Sequence, residues 1–86
     1  SIDVMYPALG LAGEVGEVCN KIKKHYRDGT PLDTDDLRKE LGDVLWYLAA
    51  LATDLDIDLE DAAGENLEKL ADRDARGVLG GSGDYR

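Results

Sequence analysis

Two short acidic motifs carry the chemistry that this chain is equipped for: Glu14-Val-Gly-Glu17 and Glu40-Leu-Gly-Asp43. Each sets two carboxylates three residues apart, which on an α-helix puts both on one face, about 4.5 Å apart along the axis. Like charges at that spacing repel, and the penalty grows as water is withdrawn. Neither pair has a Lys or Arg three or four residues away on both sides to offset it. A divalent cation would turn that cost into a gain, because hard cations prefer oxygen ligands. Four carboxylates without His or Cys make a cage suited to Mg²⁺, with Mn²⁺ as the alternative. Mg²⁺ keeps several waters and draws its other ligands from substrate phosphates. The chemistry indicated is metal-assisted hydrolysis of a phosphoanhydride, in which the ion clamps phosphate oxygens and acidifies or orients a water.

Three helices are needed to position these groups, and apolar periodicity with stop signals supplies them. The first runs from about Pro7 to Tyr26, with Leu11, Val15, Val18 and Ile22 as its apolar stripe. Gly10, Gly13 and Gly16 weaken its early turns by roughly 1 kcal/mol each relative to Ala, which points to close approach of a neighbouring backbone or a ligand. Asp28-Gly-Thr-Pro31 ends it, since Gly supplies the C-cap and Pro cannot extend the ladder. The second helix starts near Asp33 or Thr34, with Asp35 and Asp36 complementing its dipole. Its predicted core stripe is Leu37, Leu41, Val44, Leu48, Leu51 and Leu55. The third follows Asp58 as N-cap and ends near Ala75. In an antiparallel hairpin of the first two, the legs from the hinge to each acidic pair differ by about two residues, or ~3 Å. All four carboxylates are thereby predicted to meet at one height.

The fold class is all-α: a three-helix antiparallel bundle subunit over residues 1–76, followed by a Gly-rich tail from residue 77 to residue 86. With 86 residues and no Phe, the chain has little from which to build a core. A domain this small buries only ~60–65% of its unfolded surface, so completion by oligomerisation is predicted. Nineteen acidic against ten basic residues, net charge −9, argue against a nucleic-acid binder and a polybasic membrane module. Cys19 is the sole cysteine, which excludes an intrachain disulfide framework or a Cys-rich zinc site. The longest apolar run, Val44 to Ala52, has nine residues, short of a membrane span. A soluble, reduced, cytoplasmic protein is predicted. The chain opens at Ser1 and enters an apolar stretch almost at once, which suggests that an N-terminal piece precedes it.

Leu11-Ala-Gly-Glu-Val-Gly-Glu17, then Lys39-Glu-Leu-Gly-Asp-Val-Leu-Trp-Tyr47, then Asn66-Leu-Glu-Lys-Leu70 resemble the MazG-like all-α nucleoside triphosphate pyrophosphohydrolases, whose pattern is ExxE, a spacer and ExxD. Here 22 residues separate Glu17 from Glu40. The resemblance implies Mg²⁺-dependent cleavage between the α and β phosphates of an NTP or dNTP, giving a monophosphate and pyrophosphate. Glu14, Glu17, Glu40 and Asp43 match the family's metal ligands, and one of the glutamates would also orient or deprotonate the attacking water. Asn66 and Lys69 match positions of substrate contact, Lys69 as a point charge for phosphate. The implied state is a homodimer or homotetramer with composite sites, serving nucleotide-pool housekeeping. Family members usually carry more N-terminal helix before this segment, often in contact with the base.

Other signals are weaker. Lys21 and Lys24 belong to a basic run that reads either as a solvated helix end or as help for the polyphosphate. Tyr47, four residues after Asp43, is a candidate wall for the base pocket, whereas Trp46 reads as core or subunit interface. Arg76 and the tail beyond it suit either a disordered end or a flap over bound phosphates. Asp54-Leu-Asp-Ile-Asp58 with Glu65 mimics a calcium loop, but Leu59 stands where that loop needs Gly and Asp61 where it needs an apolar residue. His25 has Ile22 rather than Glu three residues before it, so the Glu-x-x-His of a di-iron bundle is lacking. The rival from another class is a non-catalytic acidic helical interaction module.

Overall fold

Helix α1 (Met5–Asp28) starts without a side-chain cap and stops at Gly29, whose left-handed backbone (φ 71°) lets its N–H reach the His25 carbonyl. That conformation is available to Gly at no steric cost. The His25 Nδ1 lies 2.6 Å from the Thr30 carbonyl oxygen, so Nδ1 carries the proton and donates, tying the turn to the helix end. Helix α2 (Thr34–Asp54) opens at Asp33, whose side chain accepts from the Asp36 N–H. Helix α3 (Leu59–Ala75) opens at Asp58, whose side chain accepts from the N–H groups of Glu60 and Asp61. Asp58 is therefore a helix cap. These bounds come from a computed structural model that describes residues 3–77. The tail from residue 78 to residue 86, and with it any flap, lies outside the described residues.

The described residues form three helices joined by short loops, with no strand among them, so the chain is all-α. They fall into two compact units that divide between Asp56 and Ile57. The first is the α1–α2 hairpin, and the second holds α3. In the hairpin, the less exposed residues of α1 include Pro7, Leu11, Glu14, Val18, Lys21 and His25, at alternating steps of four and three. Those of α2 include Leu37, Glu40, Val44, Tyr47, Leu51 and Asp54, at steps of three and four. This is the spacing of a coiled-coil seam. Glu14, Lys21 and Glu40 are among its polar members.

The predicted apolar core is corrected on one point. Leu37, Val44 and Leu51 lie in the seam, but Leu41, Leu48 and Leu55 are exposed, as are Val15 and Ile22 of α1. Together with Leu45 (64% exposed), three of these α2 leucines form a second apolar stripe, turned about 100° from the seam. Among the described residues only Pro7, Ala52 and Arg73 are buried. No helix among them is long and apolar enough to cross a membrane.

Candidate metal centre

The hairpin has a single register. Lys21 of α1 pairs with Asp36 of α2, and the Tyr47 ring of α2 lies over Gly10 of α1. Lys21 stands eleven positions after Gly10 and Tyr47 eleven positions after Asp36, so the two contacts share one antiparallel alignment. Glu14 and Asp43 stand opposite each other between them. Glu14, Glu40 and Asp43 each offer a carboxylate oxygen, and these oxygens lie within 4.8 Å of one another. Ligands on one Mg²⁺ stand about 3 Å apart when adjacent and about 4.2 Å when opposite. The three oxygens are thus a small side-chain adjustment from one coordination sphere, and an all-oxygen set fits a hard divalent cation. Glu17 is the difference from the predicted quartet. It is exposed, one turn along α1 from Glu14, and outside this set, though its charge is felt by Glu14.

Electrostatics reflect the crowding. Glu14 is held above the ordinary carboxylate range by partial burial, by a hydrogen bond with Glu40, and by the charges of Asp43, Glu40 and Glu17. A hydrogen bond between two carboxyl groups needs a proton, and a cation in its place removes the need. Lys21 supplies a cationic contact at this cluster's edge: its Nζ donates to Asp36 Oδ2 and to Glu40 Oε1, the latter at 3.2 Å. The Asp36 contact is the main reason that the Lys21 ammonium is held above its usual pKa, against the opposing effect of desolvation and with a lesser contribution from Glu40.

Tyr6, Glu14, Asp43, Trp46 and Tyr47 line an open cleft of about 410 Å³. The Tyr47 ring lies 6.0 Å from Tyr6 and 5.1 Å from Trp46, edge-on to the indole. Its phenol is pushed above its ordinary pKa, first by the Tyr6 hydroxyl, then by desolvation and the charges of Glu14 and Asp43. Gly10 makes room for that ring, because a Cβ there would stand 2.2 Å from Tyr47 Cε1. Gly13 and Gly16 have nothing within 4 Å of an added Cβ, so close approach is borne out at Gly10 alone of the three.

The remaining predicted site residues are spread more widely. Lys24 lines a cleft at the hinge with Thr30, Pro31, Leu32 and Asp33, about 15 Å along α1 from Glu14 at 1.5 Å per residue. Asn66 and Lys69 share one face of α3 with Ala62 and Glu65, lining a shallow depression in the second unit. Arg76 caps α3 and pairs with Asp72 at 2.8 Å. Three neighbours of the site were not singled out from sequence as site residues: Asp36, Tyr6 and Gly10 as the seat of Tyr47. The hairpin register would have located Asp36 and Gly10, since both face residues that were.

Comparison with known proteins agrees with this geometry. Residues 7–78 match the family model of the MazG nucleotide pyrophosphohydrolase domain. The chain is 51% identical over 85 residues to the Gene 37 protein of Mycobacterium phage L5, covering 94% of this chain and 75% of that one. It is 36% identical over 67 residues to the uncharacterized protein YpjD of Bacillus subtilis (strain 168), covering 74% of this chain and 60% of that protein. No solved structure matches. A match across most of the chain, with both acidic motifs inside it and converging in the hairpin, places this chain in the MazG nucleotide pyrophosphohydrolase family.

Proposed function

We propose that the protein hydrolyses nucleoside or deoxynucleoside triphosphates at the α–β phosphoanhydride, releasing a monophosphate and pyrophosphate, with Mg²⁺ as cofactor and Mn²⁺ as a substitute. The observation that carries this is the convergence of Glu14, Glu40 and Asp43 within 4.8 Å in a chain of this family. A divalent cation bound there supplies charge neutralisation for the phosphates and acidifies a water. Glu14 and Asp43 would hold it from opposite helices, with Glu40 contributing from the adjacent turn of α2. Glu17 adds the fourth carboxylate from its exposed position beside Glu14, where it also has room to orient water.

The substrate's two ends call for different partners. Tyr47, with Tyr6 and Trp46 in the same cleft as Glu14 and Asp43, offers aromatic faces to the base. On the family resemblance Asn66 and Lys69 of α3 are assigned to phosphate contact, and Lys24 and Arg76 are the further candidates for the polyphosphate end. The exposed stripe of Leu41, Leu45, Leu48 and Leu55 supports assembly as a homodimer or homotetramer, since soluble monomers rarely leave such continuous apolar faces in water. Nucleotide-pool housekeeping in the cytoplasm is the role this activity serves.

A panel of NTPs and dNTPs incubated with the protein and Mg²⁺, followed by ³¹P NMR, tests the reaction. Pyrophosphate and a monophosphate are the expected products, lost in Glu40→Gln. Orthophosphate with a diphosphate would mean a different phosphatase chemistry, and no turnover of any nucleotide would favour the non-catalytic interaction module.

A further inference from the structure

Glu40 of the acidic cluster also contacts a cation of the chain itself, Lys21. Lys21 Nζ donates to its Oε1 at 3.2 Å while also donating to Asp36, one turn of α2 toward the hinge. An ammonium has three donors and no fixed plane, so it can be shared between two carboxylates and transferred between them without rebuilding the site. Lys21 and Glu40 are both partly withdrawn from water, at 30% and 19% side-chain exposure, whereas Asp36 at 43% is the wetter of the two anions. A positive charge resting on Glu40 opposes any second cation on the same carboxylate. A carboxylate at Asp36 offers that charge another seat, outside the cluster.

Resting on the metal-site reading above, we propose that Lys21 is a built-in counter-cation of the cluster, shared between Glu40 and Asp36, and that it yields Glu40 to the divalent cation by moving wholly onto Asp36. Lys21 and Asp36 are then positioning residues that set the affinity for metal. Lys21 is assigned to Glu40 rather than to the polyphosphate. The protein keeps its crowded acids partly compensated in the metal-free state, and metal must displace an internal competitor to bind.

Mn²⁺ titration by calorimetry on the full chain, without nucleotide, tests this in wild type, Lys21→Met, Asp36→Asn and the double variant, with thermal melts in parallel. Lys21→Met is expected to bind Mn²⁺ about three- to tenfold more tightly, the scale of a partly screened charge contact, and Asp36→Asn to bind more weakly by a similar factor. The double variant is expected to match Lys21→Met, because Asp36 acts only through the ammonium. Additive effects that return the double variant to wild-type affinity would reduce both residues to background charge and overturn the proposal. Weaker binding with lower melting in both single variants would make the pair a structural strut, which also overturns it. Unchanged Mn²⁺ affinity in Lys21→Met would do the same. Lys21→Gln, uncharged and of similar reach, replaces the Met variant if that one does not fold. Absence of Mn²⁺ binding in the wild type removes the metal site itself, an outcome separate from those that refute only the role of Lys21.

Discussion

Replacing Gly10 by Ala should destabilise this protein, although the same change elsewhere in its helices should help. Ala in a helix interior is favoured over Gly by about 0.5–1 kcal/mol. At Gly10 the new Cβ would stand 2.2, 2.4 and 2.6 Å from Cε1, Cδ1 and Cζ of Tyr47, against ordinary contact from 3.4 Å. The ring has to retreat by about 1 Å, and overpacking of that kind costs about 1–3 kcal/mol. The net is a loss of up to about 2 kcal/mol once the helix gain is subtracted. Gly13 and Gly42 have nothing within 4 Å of an added Cβ, so Ala there should stabilise by about 0.5–1 kcal/mol. Urea unfolding followed by circular dichroism, at one protein concentration for all variants, gives the comparison. Adding Tyr47→Ala to Gly10→Ala removes the obstacle, so Gly10→Ala should stabilise in the Tyr47→Ala background. Equal stability of Gly10→Ala and Gly13→Ala would refute the placement of Tyr47 over α1, and with it the aromatic wall of the cleft.

Other outcomes follow from the same structure. Glu14 titrates above its ordinary range in the folded state, so the metal-free fold binds that proton more tightly than the unfolded chain does. Glu14's contribution to stability therefore rises as pH falls from its folded pKa toward its unfolded one. Glu14→Gln should melt above wild type at neutral pH without metal, with the gap closing as the pH drops through that window; a gap independent of pH would contradict the crowding. Asp58→Ala removes an N-cap that accepts from two backbone N–H groups and should cost about 1 kcal/mol in the same unfolding assay. Leu45 is 64% exposed on the second apolar stripe of α2. Sedimentation should find the wild type as a dimer or tetramer and Leu45→Glu as a monomer of retained helicity, while a monomeric wild type would refute assembly through this face.

Local signals in the sequence determined the elements well. Asp33 and Asp58 are caps because their short carboxylates reach the N–H groups of the first turn, and Gly29 ends α1 because it tolerates positive φ. The meeting of Glu14 with Glu40 and Asp43 was legible from the hinge-to-motif distances, since a five-residue turn between two helices leaves little freedom of register. Which apolar arc of α2 faces α1 was not legible. A 3.6-residue repeat collects Leu37, Leu41, Val44, Leu48, Leu51 and Leu55 into one broad stripe, whereas the seam takes only its Leu37, Val44 and Leu51 edge and fills the rest with Glu40 and Tyr47. Periodicity alone counts polar residues as outward. Here Lys21 pairs with Glu40, and Glu14 shares a hydrogen bond with Glu40, inside the seam, and such pairwise terms are invisible in a hydrophobicity pattern.

Glu14, Glu40 and Asp43 are proposed to hold a divalent cation against a nucleoside triphosphate. Crystals grown with Mn²⁺ and a non-hydrolysable α,β-imido triphosphate, measured at the manganese absorption edge, test it most directly. An anomalous peak bounded by those three carboxylates and by phosphate oxygens is the predicted result. Nucleotide bound with no peak at that position, or with the metal seated elsewhere on the chain, would contradict it.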